Sequence, residues 1–113
     1  MRLRHEPLDL ETKFDFRISS TAPRRRHENL LVRLEHDGVE GLGEAAPARY
    51  YGETRPLAAA ALDAWAPVLG DDPFALAAIE ARLDDRLRGQ SAARAALEMA
   101  LHDWIGKRLG LPV

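Results

Sequence analysis

Asp37-Gly38 sits between two runs of alternating apolar residues, and this dipeptide constrains the fold more than any other feature of the chain. Both positions tolerate positive φ, which a two-residue turn matching the twist of paired strands demands. On the near side Leu30, Val32 and Leu34 alternate with Leu31, Arg33 and Glu35. On the far side comes Val39-Glu40-Gly41-Leu42-Gly43-Glu44-Ala45, with glycines where a backbone must pass closely or bulge. Upstream, Leu3 and His5, Leu8 and Leu10, and Phe14, Phe16 and Ile18 alternate with charged residues, as strands with one wet face do. An antiparallel meander of about three strands is therefore expected.

The second half changes period. Thr54 can cap a helix with Pro56 in its first turn, placing Leu57, Ala61, Leu62 and Trp65 on one face until Pro67 and Gly70 end it. Asp72-Pro73 is a start signal for a second helix with Phe74, Leu76, Ile79, Leu83 and Leu87 as its apolar set. Ser91 can cap a third, in which Leu97, Ala100, Leu101, Trp104, Ile105 and Arg108 line up before Gly110 and Pro112. Strands followed by helices, without alternation, predict an α+β class: a three-stranded meander, then a bundle of about three helices.

At 113 residues and 12.6 kDa the chain fits a single domain, 1–113, and is too short for a (β/α) barrel, which needs about 250 residues. Cysteine is absent, so there is no disulfide framework and no thiolate metal site, and a cytoplasmic setting is expected. The formal net charge of −2 is spread evenly, which argues against nucleic acid or an anionic membrane as partner. No stretch reads as a signal peptide, and the longest apolar run, Leu57 to Gly70, is mostly alanine, broken by Asp63 and too short to span a bilayer.

Two local features can carry chemistry. Arg24-Arg25-Arg26-His27 is expected in a loop, where guanidiniums can receive a carboxylate or phosphate in bidentate geometry, or simply form a solvated charge run. Gly41-Leu42-Gly43-Glu44-Ala45-Ala46-Pro47 runs into Tyr50-Tyr51-Gly52-Glu53-Thr54. The glycine spacing does not match a dinucleotide fingerprint, while paired tyrosines can orient a ligand or pack their own loop. His5, His27, His36 and His102 lack metal-ligand spacing, and His102 reads as a partly buried structural group. Asp71-Asp72 and Asp84-Asp85 read as capping and solvated charge. Lysine occurs only at 13 and 107, and no nucleophile with a paired base and no carboxylate cluster for a divalent metal can be assembled.

FRIS at Phe16 to Ser19, the arginine run, NLLVRLEHDG, GLGEAAP, YYGET and AARAALEMALHDWIGKRLGLPV together resemble the N-terminal capping domain of the enolase superfamily. The likeness covers nearly the whole chain and is best to the muconate-cycloisomerase-like branch, there to the dipeptide epimerases. It implies a domain that packs on a modified (β/α) barrel absent from these residues, whose strand ends carry acid/base lysines and the carboxylates that hold Mg²⁺. The implied reaction is proton removal beside a carboxylate and reprotonation from the opposite face. The implied contribution of this domain is a lid of two loops, Ser19 to His27 and Ala48 to Glu53. Arg24 best matches a substrate-contacting arginine, with Arg25 and Arg26 as competitors, and Tyr50 and Tyr51 would exclude water and shape the pocket. A dipeptide with an acidic side chain is the implied substrate and a homo-oligomer the implied assembly. On this reading the chain stops at a domain boundary after Val113, and the 113 residues alone are expected to be inactive. Other members of the branch, namely N-acylamino acid racemase, o-succinylbenzoate synthase and muconate cycloisomerase, fit the same motifs. A stand-alone module using the arginine run for an anionic partner is the alternative outside that class.

Overall fold

In the computed structural model, residues 1–12, 25–48 and 52–110 are described, with side chains left aside at 10–12 and 25–27. Strands β1 (Arg2–Thr12), β2 (Arg25–His36) and β3 (Val39–Ala45) form one antiparallel sheet in the order β1-β2-β3. Three helices follow, α1 (Arg55–Trp65), α2 (Leu76–Arg86) and α3 (Ser91–Leu109), with a short 3₁₀ turn at Ala66–Val68 after α1. This is the α+β order expected from the change of period.

The hairpin forms where the dipeptide requires it. Asp37 has φ +50° and Gly38 φ +74°, and His36 faces Val39 across the turn. Because that pair closes a two-residue turn, alternate residues of β3, namely Glu40, Leu42 and Glu44, direct their backbone groups away from β2. The same alternation directs the nitrogen of Pro7, opposite Leu30, to the free edge of β1, where its missing N–H costs no ladder bond. β1 is thus a single strand despite its proline. Phe14, Phe16 and Ile18 lie outside the described residues.

One sheet face carries the core. Leu30, Val32, Leu34 and Ala45 are buried against Leu62, Trp65, Leu97, Ala100, Leu101 and Trp104, with Leu3 packed at the margin. The opposite face is wet and laced by cross-strand ion pairs: Arg33 with Glu6 (2.8 Å) and Glu40 (2.9 Å), Arg4 with Glu35 (3.3 Å) and Glu40 (3.6 Å).

β3 and α3 run antiparallel in close contact. A Cβ on Gly41 would lie 2.1 Å from the Ala100 carbonyl oxygen, and one on Gly43 2.0 Å from that of Ala96. Two strand residues advance about 6.6 Å and four helix residues about 6.0 Å, so the two glycines and two alanines stay in step along the crossing. The glycines read from sequence as close approaches are therefore the strand half of a backbone seam. Trp104 spans the far end, its Nε1 donating to the His36 carbonyl at 2.9 Å, with Phe74 edge-on to its ring.

Helix boundaries follow local chemistry, with four shifts from expectation. Thr54 caps α1, its Oγ1 accepting from the Leu57 N–H at 3.3 Å. The buried face of α1 is Ala58, Ala61, Leu62 and Trp65, leaving Leu57 46% exposed. Asp72-Pro73 opens a turn instead of α2: the Asp72 carboxylate accepts from Phe74 N–H (3.0 Å) and its carbonyl from Ala75 N–H (3.1 Å), which delays α2 to Leu76 and leaves Phe74 half exposed. Ser91 is the first residue of α3, not its cap; Gln90 precedes it in a left-handed conformation, φ +53°. Finally, His102 points to solvent instead of being partly buried, as does Arg108, while Ala93 and Ala96 join the buried face of α3.

The helices are tied by arginines. From α2, Arg82 donates to the Val68 and Leu69 carbonyls at 2.7 and 2.6 Å and Arg86 to that of Ala64 at 3.2 Å, satisfying carbonyls at the end of α1 and its 3₁₀ extension. Arg94 of α3 lies 5.7 Å from the Trp65 ring centroid and pairs with Glu80 (2.7 Å), Asp84 (2.8 Å) and Glu98 (3.4 Å). Among the described residues no helix is long and apolar enough to cross a membrane.

Candidate functional site

The topology brings the end of β3 and the start of α3 together toward one end of the sheet. β1 finishes toward that end, at Thr12 opposite Arg25, the first residue of β2. β3 also points there, finishing at Ala45 beside Leu30 and continuing into 46–54. Since α3 is antiparallel to β3, its N-terminus arrives near the end of β3, where the Ala92 N–H meets Glu53.

Glu53 binds these parts together. Its N–H donates to the Ala48 carbonyl at 3.1 Å, its Oε1 accepts from Ala48 N–H at 3.3 Å, and its Oε2 accepts from Ala92 N–H at 2.9 Å. One residue thereby ties Ala48 to Glu53 and caps α3, the task expected of Ser91. An anion at a helix N-terminus is favourable both for the unpaired N–H groups and for the helix dipole. Beside it opens a pocket of about 530 Å³ lined by Ala46, Ala48, Glu53, Gln90, Ser91 and Ala92.

Two further polar contacts brace this end. Buried Asn29 of β2 donates to Glu44 Oε2 of β3 at 2.7 Å. Arg55 opens α1, the wrong end of a helix for a cation, and forms an ion pair with Asp9 of β1 that offsets the misplacement. Its Nε is buried without a hydrogen-bond partner among the described residues.

This arrangement can hold a ligand and fix loop roots, but its described side chains do not form an acid/base pair. Both oxygens of Glu53 already accept backbone N–H bonds, which makes it an anchor. Lys107 lies toward the opposite end of the sheet, donating to the Glu40 carbonyl at 2.9 Å. Among the described residues no group of three or more His, Asp or Glu side chains can hold a metal ion, so the Mg²⁺ implied by the resemblance finds no fit there. His5 is engaged with Asp63 at 2.8 Å, and His36 stacks obliquely on Trp104.

Of the residues singled out from sequence, Arg24, Tyr50 and Tyr51 lie outside the described residues. Arg25 and Arg26 have their backbone on β2, opposite Thr12 and Glu11, and their side chains lie outside the description. The loop expected to extend to His27 therefore ends earlier, because β1 is long enough to pair with 25–27. Sequence reading missed Glu53, Asn29 and the Asp9–Arg55 pair. Glu53 and Ala92 are 39 residues apart, and no local pattern joins them. Arg55 at a helix start without an acidic neighbour in the first turn was the one available signal.

Residues 9–113 match the model for the mandelate racemase / muconate lactonizing enzyme N-terminal domain. The chain belongs to that family. Over its whole length it is 39% identical to the L-Lys-D/L-Arg epimerase of Methylococcus capsulatus, of which it covers 32%. Over 99% of its length it is 34% identical to the L-Ala-D/L-Glu epimerase of Bacteroides thetaiotaomicron, of which it covers 29%. Its fold is that of the corresponding part of a dipeptide epimerase from Enterococcus faecalis V583, with a TM-score of 0.82 at 22% identity over 96% of this chain and 31% of that one. The chain thus spans about a third of the length of the relatives it matches.

Proposed function

We propose that this chain is the capping part of a dipeptide epimerase: the loop-bearing end of the sheet closes over a catalytic barrel, selects the substrate and excludes water, and contributes no acid or base. The observation that carries this reading is the continuation of β3 into 46–48 and the return at Glu53 beside the start of α3, with the carboxylate there committed to backbone N–H groups. The relatives named as dipeptide epimerases support it. In this role the guanidiniums of Arg24, Arg25 and Arg26 contact a charged substrate, and Tyr50 and Tyr51 line and dry the pocket. The chemistry is 1,1-proton transfer at the carbon beside a carboxylate, on a barrel with Mg²⁺; the Enterococcus structure was solved with Mg and L-Leu-L-Tyr. A cytoplasmic setting and a homo-oligomeric parent belong to the same proposal.

An arginine run suits a dipeptide with an acidic residue. The 39% identity to an L-Lys-D/L-Arg epimerase favours a second reading, a cationic dipeptide, in which the arginines serve the substrate carboxylate instead.

The test is a fusion of this chain to the remaining two-thirds of the Methylococcus enzyme. Epimerisation is followed as loss of the α-proton signal in D₂O for L-Ala-L-Glu and for L-Lys-L-Arg. The fusion should turn over one dipeptide, and replacing Arg24, Arg25 and Arg26 by Ala should lower kcat/KM by about 10-fold or more, in line with losing a charge-assisted hydrogen bond. Turnover by the 113 residues alone would sink the proposal. Salt-sensitive binding of phosphopeptide or nucleic acid, with an inactive fusion, would favour a stand-alone anion-binding module.

A further inference from the structure

Two side chains of α3 reach the outer edge of β3. The Leu42 N–H donates to Asp103 Oδ2 at 2.8 Å, and Lys107 Nζ donates to the Glu40 carbonyl at 2.9 Å. Asp103 and Lys107 are one helical turn apart and pair with each other at 2.8 Å. In a parallel ladder, one residue of the added strand donates to one carbonyl and accepts from the N–H two residues further along its neighbour. Glu40 and Leu42 stand in that relation. The ion pair offers the donor and the acceptor that such a residue would bring.

An edge strand with unpaired N–H and C=O groups is a template for another chain. Antiparallel self-pairing centred on Leu42 would also set Glu40 of each copy opposite Glu44 of the other, a repulsion lessened but not removed by the pairing of Glu40 with Arg33 and Arg4. β1 needs no such cover, since Pro7 interrupts its free edge.

We propose that Asp103 and Lys107 act together as a surrogate strand residue that keeps the outer edge of β3 closed to a second copy of this chain. The pair is independent of the epimerase reading, because it lies away from the pocket end of the sheet and its hydrogen bonds run to Glu40 and Leu42 of β3. Asp103 being held below the ordinary aspartate range agrees with a permanently charged partner for Leu42 N–H and Lys107.

The test is amide hydrogen exchange with sedimentation on the D103A/K107A chain, at low salt and at 0.5 M salt, the latter to screen Glu40 and Glu44. The Leu42 amide should exchange about 10- to 100-fold faster at low protein concentration, consistent with losing a charge-assisted bond. Gly43, which faces β2, should not change. At high salt the variant should self-associate beyond the parent chain, and Leu42 should regain protection as concentration rises. Parental protection of Leu42, or a freed Leu42 with no added association at either salt, overturns the proposal. If the double variant does not fold, Asp103→Asn decides: it keeps an acceptor but loses the ion pair. Intermediate exchange at Leu42 supports the surrogate, and unchanged exchange refutes it.

Discussion

Gly43 rests its Cα against the carbonyl oxygen of Ala96, so closely that a Cβ would sit 2.0 Å from that oxygen. Gly41 stands in the same relation to Ala100. Neither contact can relax by a rotamer change, since both obstacles are backbone. Gly43→Ala and Gly41→Ala should each destabilise the chain by about 3 kcal/mol, the upper range of overpacking penalties. Denaturant midpoints at equal m-value measure this; a change under about 1 kcal/mol would contradict the seam.

At the hairpin, the conformational demand replaces the steric one. Gly38→Ala, at φ +74° with open space around it, should cost about 1 kcal/mol from left-handed strain alone. Asp37→Asn should be neutral or slightly stabilising, because asparagine tolerates that region well. A Gly38→Ala cost as large as that of Gly43→Ala would show that packing, not backbone conformation, limits the turn.

Glu53→Ala frees two backbone N–H groups, on Ala48 and Ala92, and should cost about 1–2 kcal/mol, the range of a lost helix cap. Glu53→Gln retains one carbonyl acceptor and should recover about half. Hydrogen exchange at Ala92 gives the local readout: it should accelerate in the alanine variant, while Leu97, deeper in α3, keeps its protection.

Two carboxylates make stability depend on pH in opposite senses. Glu98 is raised by burial and by Glu80, against the pull of Arg94 and His102. The folded state then holds its proton to higher pH than the unfolded state, so stability falls as pH rises from the unfolded to the folded pKa. Glu98→Gln should remove that decline and stabilise the chain at neutral pH. Burial pushes Asp103 up, but the Lys107 hydrogen bond, the Leu42 N–H and the Lys107 charge outweigh it and leave it lowered. Its contribution is present above the unfolded pKa and lost as pH falls through the folded one. Asp103→Asn should flatten the acid limb of the stability profile, read as Tm against pH; a Glu98→Gln profile parallel to the parent would contradict the assignment.

What was legible in the sequence was local. Asp37-Gly38 and the Thr54 cap act within four residues and formed as expected. Leu57 illustrates the limit. A helical face is known from spacing to within about one residue, and whether Leu57 or Ala58 faces inward depends on how close α1 can come to α3 and β2. Alanine allows the nearer approach, so the larger side chain is left in solvent. Asp72-Pro73 failed differently, because the same carboxylate that can cap a helix can close a turn, and the turn won. The site divides along the same line. The end of the sheet where it lies follows from the meander, but the bonds of Glu53 to Ala92 and of Asp9 to Arg55 join residues 39 and 46 apart, and only the folded chain brings them together.

The ties among β1, α1 and α3 leave the frame closed beneath its loops. Asp9–Arg55 fixes where one segment begins against where the other ends, and Glu53 returns the second to α3 before α1 starts. Such a frame sets β1, α1 and α3 against one another through bonds among the described residues themselves, so the mutual placement of these elements is fixed by their own contacts.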